Sequence, residues 1–312
     1  MEYIACPISG ATEFETLCQI PDRFAVERGD LWRVVKSRQS GLTLLNPRPT
    51  QSEIGAYYDA LVYDPFITLK QHPTLQDRVY KFVREYISLG FKAREVLKRV
   101  TFDSERVYQV LEIGCATGDF LLELKKRTDA ELELTGIEIA EKAARFAREE
   151  NNLRVFQGEL LTVELSTPQD LIVMWHTLEH VHRINETLEK LRHLLKPNSM
   201  LMVAMPNLDS YDAKHYGKYW VPLEAPRHLY HFTPKTFAAL LQKHGLAIVD
   251  MHGLPLDSYY NALLSEQLIA AVKKKPSGLG TLVNTALYGT LAAIAGQDPM
   301  QASSIAYYIK KI

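Results

Sequence analysis

The sequence predicts an α/β fold, a doubly wound parallel sheet carrying extra segments at its N-terminus and before its last strand. Three observations carry that expectation. From about Tyr108 onward, short apolar runs alternate with segments of helical pattern, as successive βαβ units do. The first run continues into "VLEIGCATGDF" (110–120), where two glycines, Gly114 and Gly118, bracket a strand-to-helix turn. An acid, Glu138, closes the second run, where doubly wound folds place a carboxylate beside a ligand.

Each element follows in order. Residues 1–50 are rich in turn formers and short strand-like pieces, and residues 52–100 read as helical, above all 74–100. "VYQVLEI" is the first sheet strand, and "FLLELKKR" the helix after the glycine turn. "ELELTGIEI" is the second strand, followed by the Ala-, Glu- and Arg-rich helix "AEKAARFAREEN". "LRVFQGE" and "DLIVMWH" are the third and fourth strands. "INETLEKLRHLL" is a helix that stops at Lys196-Pro197, and "MLMVAMPN" is the fifth strand. "PKTFAALLQKHG" has Pro near its start and Gly just past its end, the helix asymmetry expected of those residues. "LAIVDMHG" and the terminal "SIAYYIKK" supply strands six and seven. The expected division is a module over 1–50, a helical cap over 51–104, the sheet domain over 105–253 with 299–312, and a helical insertion over 254–298.

Composition narrows the function. The chain has 312 residues, 46% hydrophobic and 23% charged, a globular profile. Thirty-six Lys and Arg nearly cancel 37 Asp and Glu, so no global field favours nucleic acid, and none is expected as partner. Cys6, Cys18 and Cys115 are too scattered for a disulfide framework, and "MEYIACPISG" lacks the shape of a signal peptide, so a cytoplasmic setting is expected. Ser277–Gln297 carries no charge and follows Lys273-Lys274-Lys275. Three readings stand for it: packed or partner-facing helical turns, contact with a membrane surface, and a span. Its glycines, threonines and asparagine lower its apolarity and favour the first. Peripheral membrane contact or self-association through 258–297 stays open.

The glycine turn constrains the ligand. A dinucleotide loop reads G-x-G-x-x-G, its middle glycine letting the backbone approach the pyrophosphate. Here Ala116 takes the middle place, Asp119 follows Gly118, and Glu112 precedes the turn. Acids against a pyrophosphate are unfavourable, so the loop suits a ligand with a positive centre. The pattern resembles the first motif of the class I S-adenosylmethionine-dependent methyltransferases. That resemblance implies a Rossmann-like methyltransferase sheet and S-adenosyl-L-methionine as cofactor. It implies contacts from Glu112, Gly114, Cys115, Ala116 and Gly118 of the loop, and from Glu138 and Ile139 after the second strand. Glu159 and Leu160 fall where the adenine is held, His176 stands at the end of the fourth strand, and Met174 and Trp175 are further candidates for the adenosine wall. A nicotinamide dehydrogenase is the enzyme alternative, because Glu138 suits both cofactors. A cofactor-binding protein without catalysis is the alternative of another class.

"HTLEH" (176–180) matches the H-x-x-E-H pattern of a zinc peptidase helix. It directly follows a strand and opens a loop, which argues against that reading, and "L-E-H-V" resembles a common methyltransferase sequence at this place. His182 is expected to face solvent. The long connection after the fifth strand is dense in Tyr, His, Trp and Pro, a composition typical of functional loops. Its end, "APRHLYHFTP", resembles a segment of the group that includes the ubiquinone-biosynthesis O-methyltransferases, with Ala225 where an acidic or small residue is common. Methyl transfer needs alignment, exclusion of water and sometimes a base. His180, His228 and His231 are the candidates for that base, and the acceptor is expected to be a small molecule methylated on O or N. The other reading has Arg227 and His228 pinning the loop while His231 packs in a turn.

The resemblance breaks near the N-terminus. Relatives carry a zinc ribbon, "C-x-x-C-G" and later "C-x-x-C-G-L", then "N-P-R-P". Here the positions read Cys6, Ser9, Ser37 and Ser40, with Asn46-Pro47-Arg48-Pro49 kept. Serine is a poor zinc ligand, so a degenerate zinc-ribbon-like module without metal is expected. "TQSEIGAYYDA" resembles the family helix whose tandem tyrosine approaches the cofactor, which implies a contact from Tyr58. The resemblance does not account for 254–298.

Overall fold

A computed structural model describes residues 1–58 and 87–312, so the expected helix over 59–86 lies outside the described residues. The strands are β1 (Phe14–Pro21), β2 (Leu31–Ser37), β3 (Thr43–Leu45), β4 (Val107–Ile113), β5 (Glu131–Glu138) and β6 (Arg154–Gln157). They continue as β7 (Gln169–Trp175), β8 (Leu195–Pro206), β9 (Tyr230–His231), β10 (Leu246–Gly253) and β11 (Ser304–Lys311). The helices are α1 (Leu89–Leu97), α2 (Asp119–Lys125), α3 (Glu141–Glu149) and α4 (Ile184–Leu194). After them come α5 (Tyr211–Tyr216), α6 (Pro234–Lys243), α7 (Pro255–Val272) and α8 (Leu279–Ala295).

Seven strands form one sheet in the order β10-β11-β8-β7-β4-β5-β6. The seven sheet strands expected from the apolar runs are all present. β7, β4, β5 and β6 pair in parallel, with Ile113 beside both Ile137 and Met174, and Glu138 beside Gln157. Strands of a parallel sheet are covered on both faces and read as unbroken apolar runs. β7 is the example: it is buried from Gln169 to Met174, and Trp175 at its end is half-buried. The chain proceeds from β4 toward β6 on one side and from β7 toward β8 on the other, so the order reverses between β4 and β7. Ligands of such sheets bind outside the carboxyl ends of the strands at that reversal. β8 begins at Leu195, directly after α4, and takes in the Lys196-Pro197 expected as the helix stop; a Pro near a strand's start costs little pairing.

The described chain divides into two compact units. One comprises Met1–Tyr58, Leu178–Ile184 and Ala204–Tyr307. The other comprises 87–177, Asn185–Val203 and Tyr308–Ile312. This differs from the division expected from sequence, and the first unit shows why. Its antiparallel sheet runs β1-β2-β3-β9, so two residues of "APRHLYHF" complete a sheet begun by residues 14–45. Ile20, Val34 and Leu45 share one core with Tyr216, Trp220 and Ala262. In this division residues Met1–Tyr58 group with Leu178–Ile184 and Ala204–Tyr307. α6 is fixed by reciprocal caps, with Thr233 accepting from the Thr236 amide and the Thr236 hydroxyl accepting from the Thr233 amide. Between β10 and β11 the chain forms two helices, α7 and α8.

Candidate active site

Four strand ends meet in the second unit. After β4 the chain turns through Gly114, Cys115, Ala116, Thr117 and Gly118 into α2. Gly114, Ala116 and Gly118 all have left-handed φ, +73°, +48° and +80°. A Cβ on Gly114 would lie 2.4 Å from Thr177 Oγ1, so glycine there also serves close approach. Glu138, at the end of β5, is buried and accepts the Ala116 amide on Oε2 and the Ala140 amide on Oε1, both at 2.8 Å. Burial pushes its carboxyl up, and these backbone donors partly oppose that. Asn151 Nδ2 donates to the Thr117 carbonyl at 2.7 Å, fixing the turn's far side.

Gly158 follows β6 and donates its amide to the Glu138 carbonyl at 2.9 Å, which brings Glu159 and buried Leu160 to the same edge. Ile139 is 63% exposed there. His176 directly follows β7, with φ +48°. Met174 is fully buried in the core, whereas the Trp175 ring meets Phe120 edge-on at 5.3 Å and lies 4.5 Å from the Lys92 ammonium.

The glycine turn lies in a negative field. Burial pushes the Cys115 thiol far up, and Glu112, Glu138 and Asp119 push it further. A thiol in that state is no nucleophile; it packs under the turn, where a Cβ on Gly136 would come 2.5 Å from its sulfur. Three carboxylates around one turn oppose a pyrophosphate and suit a sulfonium and an ammonium. A carboxylate accepts about four hydrogen bonds, and the Ala116, Ala140 and Ile139 amides take up to three at Glu138, leaving capacity for a ribose hydroxyl. These groups fit S-adenosylmethionine.

A second cluster lies in the first unit. His180 ends a short 3₁₀ turn (Leu178–His180), so "HTLEH" is not one helix face. His180 Nδ1 lies 2.9 Å from the Tyr58 hydroxyl and 3.1 Å from the Arg227 carbonyl. Its ring meets that of His228 edge-on at 4.5 Å. His228 is buried with Nδ1 2.7 Å from the Pro222 carbonyl. Burial holds its imidazole well below the ordinary range, with His180 and His231 adding and Glu179 opposing. Both His180 and His228 thus have Nδ1 against a carbonyl, which can only accept, so Nδ1 carries the hydrogen and Nε2 the lone pair. Glu179, His180 and His228 each offer a ligand atom within 4.8 Å of the others, a composition that metal sites share.

Beneath this pair lies a buried ionic network. Arg227, 1% exposed, donates to Asp22 at 2.6 Å, to Glu224 at 3.1 Å and to the Tyr57 carbonyl at 3.2 Å. Glu224 Oε2 also faces Arg23 at 3.3 Å. Burial raises the Glu224 carboxyl, and Arg23, Arg227 and His180 outweigh that and keep it ionised. No local pattern in the sequence marks Asp22, Arg23 or Glu224, since Asp22 and Arg227 lie 205 residues apart.

Tyr58 stands against His180. His231 is buried in β9, its backbone paired with Thr43, and burial alone brings its pKa to about 3. His182, expected at the surface, is half-buried: its Nε2 lies 3.0 Å from the Pro49 carbonyl, and its own carbonyl accepts from Arg48 and Tyr230. The reason is that the "NPRP" loop packs on "HVH", with Arg48 and Pro49 both bonded to His182. Cys6 Sγ lies 3.0 Å from Ser40 Oγ, and the Ser40 amide donates to Ser37 Oγ at 3.3 Å. Gly10 and Gly41 close matching turns with φ +74° and +76°.

Sheet order, glycine turn and strand-end acids define an S-adenosylmethionine-dependent methyltransferase. Residues 83–251, more than half of the chain, match the family model described as Methyltransferase domain, and the chain belongs to that family. The ubiquinone biosynthesis O-methyltransferase of Bartonella tribocorum is 26% identical over 196 residues, covering 58% of this chain and 76% of that protein. Among solved structures, the [4+2]-cyclase SpnF superposes with TM-score 0.54 at 15% identity, covering 85% of this chain and 97% of that one. The cyclopropane synthase MmaA2 from Mycobacterium tuberculosis gives 0.50 at 14%, covering 81% and 95%. At these identities the superpositions speak for the fold alone.

Proposed function

We propose that the chain methylates a small molecule at oxygen, with nitrogen as the other acceptor atom, and that His180 takes the acceptor's proton. Glu112, Gly114, Cys115, Ala116, Gly118, Glu138, Ile139, Glu159, Leu160 and His176 are read as the cofactor contacts, with Glu138 on the ribose hydroxyls. The name of the Bartonella relative supports an oxygen acceptor. A cytoplasmic setting goes with this reading, as does a zinc-ribbon-like N-terminal frame without zinc, carried by Cys6, Ser9, Ser37 and Ser40.

The observation that carries the role of His180 is the fixation of its Nδ1 between the Arg227 carbonyl and the Tyr58 hydroxyl. When bound, S-adenosylmethionine supplies an electrophilic methyl group on a sulfonium that already leaves readily. The chain's own task is then orientation, exclusion of water and one proton. With Nδ1–H donated to the carbonyl, the Nε2 lone pair of His180 accepts the proton. The imidazolium so formed faces Glu224, which Arg23 and Arg227 keep charged. A base oriented by a second group and backed by a carboxylate is the arrangement that general-base catalysis uses. Tyr58 and Arg227 act as positioning residues, and neutral His228 walls the base.

Calorimetry with S-adenosylhomocysteine, paired with a transfer screen over phenols, catechols and amines, tests the reading. The expected result is transfer to a small acceptor that His180→Ala slows about 10²–10⁴-fold while cofactor binding stays. Transfer only to nucleic acid or protein overturns the acceptor class, and full transfer by His180→Ala overturns the base.

A further inference from the structure

α8 is turned inside out relative to an ordinary surface helix. Its inner side carries small and polar residues beside one aromatic, Tyr288, whose ring stacks on His215 at 3.7 Å. A Cβ on Gly289 would lie 2.7 Å from the Tyr259 ring of α7, Ala292 is fully buried, and Asn284 Nδ2 donates to Glu266 Oε2 at 3.1 Å. Its outer side is aliphatic: Leu279, Leu282, Val283, Leu287, Leu291 and Ile294 are 37–77% exposed. Spacings of four and three residues put Leu279, Val283, Leu287, Leu291 and Ile294 on one stripe, with Leu282 beside Leu279 at its edge; it runs the 17 residues of the helix, about 25 Å at the α-helical rise. An unbroken exposed stripe of this size marks a contact surface.

Charge says what covers it. Between residues 272 and 298 the only charged side chains are Lys273, Lys274 and Lys275, all exposed in the turn that leads into α8. The stripe itself holds no acid, and Asp298 is the first one after it. A twofold copy would set a lysine trio against a single Asp298 if the helices ran antiparallel, and against another trio if parallel. An anionic lipid surface matches both features at once, taking the stripe into its acyl boundary and the lysines at its headgroups. Among the described residues no helix is long and apolar enough to cross a membrane, so the contact lies in the plane of the surface.

We propose that α8 with Lys273–Lys275 is an interfacial anchor that docks the protein on anionic-lipid membranes. It is independent of which acceptor is methylated.

Co-sedimentation of the full chain with phosphatidylglycerol–phosphatidylcholine vesicles, and with phosphatidylcholine alone, tests it. The chain is expected to pellet with the anionic vesicles and far less with the neutral ones. Leu282→Ser/Leu287→Ser should abolish pelleting. Lys273→Gln/Lys274→Gln/Lys275→Gln should weaken it about 100-fold. All the altered side chains are exposed, and retained S-adenosylhomocysteine binding confirms the fold of each variant. Failure to pellet with anionic vesicles overturns the proposal, as does pelleting that neither variant reduces. Light scattering without vesicles adds a check: a monomer is expected. A dimer that Leu282→Ser/Leu287→Ser dissolves, in a chain that ignores vesicles, gives the stripe to a second copy instead.

Discussion

The hydroxyl of Tyr58 lies 2.9 Å from Nδ1 of His180, across 122 residues of chain. That nitrogen also faces the Arg227 carbonyl at 3.1 Å, so its hydrogen is held from two sides and the ring cannot turn freely. Removing one neutral hydrogen bond costs about 0.5–1.5 kcal/mol, which is roughly a two- to tenfold loss in rate. Tyr58→Phe is therefore expected to lower kcat by that factor and leave the acceptor KM unchanged. Tyr58→Phe/His180→Ala should be no slower than His180→Ala alone, because Tyr58 acts only through the ring. Steady-state kinetics of the three variants decide it, and additive losses would give Tyr58 a separate role.

Glu138 predicts a pH dependence of cofactor binding. Burial raises its carboxyl, with the Ala140, Ala116 and Ile139 amides opposing. The ribose hydroxyls and both loop amides are donors, so they need the ionised form. As pH falls through the raised pKa, binding weakens, and it does so at a higher pH than an ordinary carboxylate would dictate. The linkage for folding has the other sign: the folded chain holds the proton more tightly, so this group's own contribution to stability grows as pH falls. Calorimetry with S-adenosylhomocysteine over a pH series shows the first effect. Glu138→Ala should weaken binding by about 1–3 kcal/mol at neutral pH and flatten the acid limb. An unchanged dissociation constant sinks the assignment.

Much of the sheet could be read in advance because its causes are local. An apolar run, a turn and a helical pattern each lie within about ten residues, and the glycine turn with its acids is one contiguous string. The crevice was legible for the same reason. The ionic network was not, because Asp22 and Arg227 are 205 residues apart and nothing in either neighbourhood signals the other. β9 is two residues long, too short for any alternation to show, yet it ties "YH" to Thr43 and Leu44. α8 reads in the sequence as an uncharged helix, and its glycine, alanine and asparagine content conceals that Gly289 and Asn284 meet α7 while its aliphatic side chains stay exposed.

Arg227 carries the largest stability prediction. It is 1% exposed and answers Asp22 and Glu224 together. Taking one partner from a buried ion pair leaves a charge without compensation, at about 3–5 kcal/mol. Arg227→Met is expected to lose that much in chemical denaturation. Restoring neutrality with Asp22→Asn/Glu224→Gln in the same chain should recover part of it. A loss under about 1 kcal/mol would mean that water reaches the carboxylates.

His231 predicts an acid limb of stability. Its folded pKa is about 3, whereas an unfolded histidine titrates near ~6.5. Between these values the unfolded chain binds the extra proton, so stability is lost as pH falls from the upper value toward the lower. His231→Phe keeps a ring in β9 and removes the titration. Its denaturation midpoint should be flatter than that of the parent over this window. An identical pH profile would place the acid sensitivity in His228, whose pKa is also held down by burial.

The last prediction separates proton transfer from metal catalysis at one cluster. Glu179, His180 and His228 bring ligand atoms within 4.8 Å of one another, a spacing a divalent cation would accept. As a base, His180 needs its Nε2 lone pair for the acceptor's proton; as a ligand, it would spend that pair on the metal. The two roles exclude each other. If the lone pair serves the proton, exhaustive dialysis against a chelator leaves kcat unchanged, and added magnesium, manganese or zinc does not raise it. Zinc should even inhibit, since it prefers imidazole and would occupy the base. Activity lost to the chelator and restored by one cation would move the cluster to acceptor binding through metal. Cofactor affinity measured in the same samples tells this from general damage, because the crevice residues around Glu138 and the turn through Gly114 supply no part of the cluster.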